Sequence, residues 1–140
     1  MIAVFLATLL AQAAPGASPA CSAGDISVTD LRGKTIKGSP KTVPEDRLLL
    51  TADFTNVGSR SQQPHTAQHA DVLSDGAVLA TQPLPALAAG VTYPLQFRIF
   101  RAKPQASGPI SITVRYVLDD AHRPTRNNCS PTNDSLQKTF

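Results

Sequence analysis

The sequence predicts an all-β fold, a Greek-key β-sandwich of about seven strands preceded by a signal peptide. Two strands carry most of that prediction. Apolar residues alternate through Val91, Tyr93, Leu95, Phe97 and Ile99, and again through Ile110, Ile112, Val114, Tyr116 and Leu118. A period of two puts each set on one face of a pleated strand, as required where one side packs on a core and the other meets water. The third observation is negative: no helical pattern longer than a turn or two occurs, and turn residues recur at the spacing of a sandwich.

In chain order, residues 1–20 carry no charged side chain, residues 1–10 are almost wholly apolar, and Ala11, Gln12, Ala13 and Ala14 offer the small residues that signal peptidase prefers. Pro15, Gly16 and Pro19 stop any extension of this run, which falls short of the roughly 20 apolar residues that span a bilayer. The domain is expected over 21–140. Its first strand covers 26–31, where Ile26 and Val28 are followed, after a break at Thr29 and Asp30, by Leu31. A loop rich in Gly33, Gly38, Pro40 and Pro44 comes next. Residues 48–56 form a central strand with Leu48, Leu50, Ala52 and Phe54 on one face. The polar segment 58–68 reads as a flexible excursion. Strands then follow over 69–74 and 77–82, joined by Asp75-Gly76, the pair that a two-residue type I′ turn needs because both positions take positive φ. The strand 91–100 contains Pro94, which cannot donate to a ladder, so this strand lies at a sheet edge or is bulged there. Residues 110–118 and 136–140 complete the count.

Composition narrows the function classes. The 140 residues are 16% charged with a formal net charge of +3, and the Lys and Arg are dispersed without interleaved aromatics. Such a surface does not track phosphates, so nucleic acid is not an expected partner. Two cysteines remain, Cys21 and Cys129. Export favours a disulfide between them. A closed loop of ~100 residues is worth about 4.7 kcal/mol in the chain-entropy model. The rival reading is lipidation of Cys21, which Ala20 suits and Ser18 does not.

The order of these features resembles the CARDB family, immunoglobulin-like bacterial domains named for a role in cell adhesion. Asn56-Val57-Gly58 matches the strand ending in Asn-x-Gly, and Asp75-Gly76 the turn between the next two strands. Leu87-Ala88-Ala89-Gly90 matches the Leu-x-x-Gly link, and the strand closing on Asp119, with Asn127-Asn128 beyond it, matches the last part of the pattern. The resemblance spans 48–140. It implies an immunoglobulin-like fold and an extracytoplasmic module, with structural roles for Asp119 and Asn128. The chain departs from the pattern in the longer, more polar 58–68 and in the basic run of His122, Arg123 and Arg126.

Three constellations are candidates for chemistry. His65 and His69 lie four apart, a zinc spacing on a helix, but about 13 Å apart on an extended chain at ~3.3 Å per residue. Asp119, Asp120, Asn127 and Asn128 form an oxygen-rich group of the kind calcium takes, or a turn in which Asp and Asn cap backbone groups. Neither is expected to hold a metal, and no cofactor is implied. No G-x-S-x-G motif occurs, and adjacent aspartates on a strand face opposite ways, so an enzyme is not expected. The chain has no Trp, two Tyr and five Phe, mostly at core-facing positions, which leaves no sugar platform. Phe100 is the exception, falling on the polar face of its strand beside Arg98 and Arg101.

These observations predict a secreted or periplasmic, non-catalytic binding or adhesion module, monomeric or weakly self-associating. It would act through protein contacts with an unidentified protein or cell-surface component, without a membrane span. Specificity is expected in 58–68, in the Arg123 and Arg126 segment, and along the Pro94 strand with Phe100. The alternatives are an accessory subunit or chaperone that pairs its edge strand with another protein, and a metal- or calcium-binding module.

Overall fold

The computed structural model describes residues 23–42, 44–101, 108–119 and 128–140. Within the described residues seven strands form two antiparallel sheets: β1 (Ile26–Ile36), β2 (Asp46–Asn56), β3 (Gln68–Ser74), β4 (Ala77–Pro83), β5 (Thr92–Arg101), β6 (Ser111–Leu118) and β7 (Ser135–Thr139). Sheet A has the order β1-β2-β5 and sheet B the order β4-β3-β6-β7. Sequence neighbours β2 and β3 lie in different sheets, as do β4 and β5, which is Greek-key wiring. Among the described residues no helix is long and apolar enough to cross a membrane.

The core is the set of inward positions that the period of two selects. Leu48, Leu50, Ala52 and Phe54 of β2 and Leu95, Phe97 and Ile99 of β5 face Ala70 and Val72 of β3 and Ile112, Val114 and Tyr116 of β6. The break in β1 is a bulge. Val28 pairs with Phe54 and Asp30 with Asp53, leaving Thr29 as the extra residue. That insertion shifts the alternation by one, so Leu31 reaches the core and Asp30 does not.

Three expectations need correction. The segment after Leu31 is not a loop until residue 37, because β2 is long enough to keep pairing with it as far as Ile36 opposite Arg47. Gly33 suits this stretch because a Cβ there would lie 2.4 Å from the Phe140 ring. Val91 and Tyr93 are exposed rather than buried. Their reason is geometric: β4 ends at Pro83 just past the level of Gln96, so sheet B has no strand left to cover Tyr93. Segment 58–68 is anchored, not a free excursion, since Gly58, Gln62 and Gln68 are all buried.

The anchor is a network of amides. Gln62 and Gln68 exchange side-chain hydrogen bonds at 2.8 and 2.9 Å, and the Tyr116 hydroxyl donates to Gln68 Oε1 at 2.6 Å. Gln62 Oε1 also accepts from Leu87 N–H at 2.9 Å, while Gln68 Nε2 donates to Pro85 O at 2.8 Å. Burial pushes the Tyr116 hydroxyl well above the ordinary tyrosine range, so it remains a donor. A second anchor is Asn56, fully buried at the end of β2. Its Oδ1 accepts from Asp25 N–H and Gly58 N–H, and its Nδ2 donates to Arg60 O and Leu87 O. Gly58 is required beside it, because a Cβ there would meet Ala23 O at 2.0 Å.

Candidate functional site

The outer face of sheet A follows from register. Lys34, Leu49 and Arg98 stand side by side across β1, β2 and β5, and the next row is Ile36, Arg47 and Phe100. Each row alternates cation and apolar group, and the two rows are offset, so the face is a chequerboard. Farther along, Arg32 donates to Asp53 at 2.8 Å and also pairs with Asp30. Those bonds raise the arginine's pKa, Asp53 contributing most, and the bond from Arg32 lowers that of Asp30. Lys34, Arg47 and Arg98 have no such carboxylate partner among the described residues. Arg47 Nε is buried without a hydrogen-bond partner. A depression of about 280 Å³ lies over this face, with Lys34, Leu49, Thr51 and Gln96 among its walls.

At the β4–β5 margin the two sheets come close and then part. Gln82 Nε2 donates to Gln96 O, so the backbone of Gln96 faces the free edge of β5. Backbone groups alternate in direction along an antiparallel strand, and Pro94 therefore faces the same free edge, where its missing N–H costs no ladder bond. This confirms the edge placement expected from the sequence. Toward the Asp75-Gly76 turn, whose φ values are 50° and 78°, the strands separate into an open cleft of about 730 Å³. A bulge leaves Leu79 of β4 without a partner and brings it to the cleft wall, opposite Ile99 and Phe100. Phe100 is 57% exposed, more than any other large apolar residue described.

The titratable candidates separate into two clusters. His69, on β3, has Nδ1 2.8 Å from Asp119 Oδ2 and Nε2 3.3 Å from Asp71 Oδ1. Asp71 in turn accepts from Thr81 at 2.7 Å and from Arg115 at 2.9 Å. Carboxylates on opposite ring nitrogens do not converge on one metal position, and among the described residues no group of three or more His, Cys, Asp or Glu does. His65 sits in a left-handed turn at φ 62°, away from these contacts. Asn128 belongs to the second cluster. Its Oδ1 accepts from Ile26 N–H at 3.1 Å and its Nδ2 donates to both oxygens of Asp134. Asp25 there accepts from Ser130 N–H and Asn133 Nδ2. Burial, with the nearby Asp25 carboxylate adding to it against the Asn128 hydrogen bond, raises the Asp134 pKa. The expected oxygen cluster is thus divided: Asp119 bonds to His69, while Asn128 clasps β1 to the last turn. Asp120, Arg123, Arg126 and Cys21 lie outside the described residues.

The Asp71 site makes a pH prediction. Burial alone would raise its carboxyl pKa, but the bonds from Arg115 and Thr81, with the His69 charge, hold it below 3.8. A carboxyl depressed in the folded state adds stability above its unfolded pKa and loses it as pH falls through the folded value. Arg115→Ala is therefore expected to destabilise by about 1–2 kcal/mol at neutral pH, discounted because Arg115 is half exposed. The difference should shrink as pH falls below 3.8 and vanish once Asp71 is protonated in the folded protein as well. Thermal melts of both proteins across that range check it, and a difference independent of pH would contradict it.

Two solved structures share this architecture. A solution NMR structure of a domain described as part of a cell surface protein from Methanosarcina acetivorans aligns with a TM-score of 0.59 at 20% identity, covering 84% of this chain and 90% of that one. The crystal structure of the CARDB domain of a Pyrococcus furiosus protein, in complex with di-metal ions, gives 0.60 at 13% identity, covering 85% and 93%. The fold is CARDB-like. No family model matches the sequence, and no curated protein matches it.

In this CARDB-like domain the motif residues are architectural. Asn56 and Gly58 join the end of β2 to Asp25 and Ala23, Leu87 is buried, and Gly90, at φ 76°, donates its N–H to Asn56 O. Sequence reasoning singled out Phe100 but missed Lys34 and Arg47. The signal was present only jointly, since Lys34, Arg47 and Arg98 come together through the register of three strands.

Proposed function

We propose that the chain is an exported, non-catalytic binding or adhesion module that acts through protein contacts, as a secreted or periplasmic domain. One observation carries this reading. Phe100, the most exposed large apolar side chain among the described residues, stands beside Arg47 and Arg98, which have no carboxylate partner there, whereas the buried polar groups of Asn56, Gln62 and Gln68 are satisfied within the domain. An exposed aromatic with neighbouring cations is the composition of interface hot spots. The cell surface protein domain that shares the fold fits the same setting. The leader over 1–20 and a Cys21–Cys129 bond belong to this proposal. Cys129 N–H donates to Gly24 O at 3.2 Å, which supports the bond because Gly24 is three residues from Cys21.

Edge-strand pairing finds less support. Bulges interrupt β1 at Thr29 and β4 at Leu79, Pro94 and the Gln82 clasp occupy β5, and Lys138 lies on β7. These are devices that discourage strand addition. Placing a photo-crosslinking amino acid at Phe100 in cells that export the protein is expected to give a discrete, saturable protein adduct, and one at Gln137 of sheet B none. No adduct at Phe100, or equal labelling at both positions, would count against the reading.

A further inference from the structure

We infer that the outer face of sheet A binds an extended, acidic segment of a partner protein in which a carboxylate and a bulky apolar side chain alternate at every second residue. The inference rests on the binding-module reading and adds the partner's chemistry. Three observations carry it. Lys34, Arg47 and Arg98 share one face and have no carboxylate partner among the described residues, while the one arginine nearby that does, Arg32, is taken by Asp53 and Asp30. Arg47 Nε is buried and makes no hydrogen bond, so that side chain is not tied through it to any acceptor within the domain. Leu49, Ile36 and Phe100 occupy the alternate squares.

That last observation decides the kind of partner. A sulfated or phosphated polyanion would use the cations and gain nothing from the apolar squares, and it would leave Phe100 in water. On an extended chain, side chains on one face recur every two residues, at roughly 6.6 Å. Arg98 and Phe100 are spaced in the same way along β5. A segment lying along β5 therefore sets a carboxylate against Arg98 and an aromatic or aliphatic group against Phe100, with Lys34 and Arg47 available to a neighbouring acid. Charge complementarity of this type governs association rate and salt dependence as well as affinity.

The test uses the full chain and a fluorescent peptide repeating Glu-Ser-Phe-Ser, with Glu-Ser-Ser-Ser and Lys-Ser-Phe-Ser repeats as comparison probes and dextran sulfate as a polyanion. Fluorescence anisotropy is expected to show binding of the first peptide that weakens as salt is raised. Affinity should fall about tenfold or more in the Lys34→Glu, Arg98→Glu double variant and in Phe100→Ser. Arg60→Glu, in segment 58–68, should leave it unchanged. Surface changes at these positions spare the core, and the salt dependence of the unmodified chain gives a readout that needs no variant. The inference is overturned if the first peptide does not bind, or binds no better than the peptide without Phe. Equal loss with Arg60→Glu overturns it as well, as does tighter binding of dextran sulfate that ignores Phe100→Ser. A Phe100 photo-adduct together with a peptide that ignores the face would leave the binding-module reading standing and reject this partner chemistry alone.

Discussion

Asn56→Ala is expected to cost about 4 kcal/mol of stability, a large share of the margin of a domain this size. The side chain is fully buried and uses all of its hydrogen-bonding capacity: two backbone N–H groups reach its oxygen and two carbonyls receive its amide. Alanine would leave Asp25 N–H and Gly58 N–H buried without an acceptor, at roughly 1–3 kcal/mol each. Leu87 O keeps a second donor in Gln62 N–H, so the carbonyl side contributes less. Asn56→Asp retains both accepted bonds but buries a charge and loses both donated ones, so it should fare no better. Urea denaturation measures both variants, and a loss below about 1 kcal/mol for Asn56→Ala would refute the account.

Gln62→Ala should be the next largest change, at roughly 3 kcal/mol. It deprives Leu87 N–H of its acceptor and undoes the reciprocal amide pair with Gln68. The effect should be local as well as global, because Gln62 is the middle tie of segment 58–68. Hydrogen exchange at Leu87 and proteolysis within 58–68 are expected to accelerate before the β2 and β6 amides do. Gln68→Ala disrupts the same network, so the double variant should lose less than the two single losses added. Strict additivity would mean that the amides act independently.

The sequence by itself determined the layers, strand by strand. Alternation in β2 and β6 selected the inward residues, Asp75-Gly76 fixed one hairpin, Pro94 marked an edge or a bulge, of which the structure shows the edge, and the break between Val28 and Leu31 fell where the structure has a bulge. Each of these is a local constraint, set by pleat, positive φ or a missing N–H, and a local constraint is readable from neighbouring letters. Polar composition misled for 58–68, because a Gln is indistinguishable in sequence whether its amide meets water or Gln68. The alternation in Val91 and Tyr93 also misled, since a strand's period says which residues share a face and not whether another sheet covers it.

What only the tertiary structure decided is which distant groups meet. His69 found Asp119 and Asp71, Asn128 found Ile26 and Asp134, and Lys34, Arg47, Arg98 and Phe100 became one face. The physical reason is register: pairing β1 with β2 and β2 with β5 is fixed by burial of their inner faces, and the outer residues are carried into contact by that choice. A one-residue slip in either pair would exchange the two faces and disperse the chequerboard, so the site exists only as a consequence of the core.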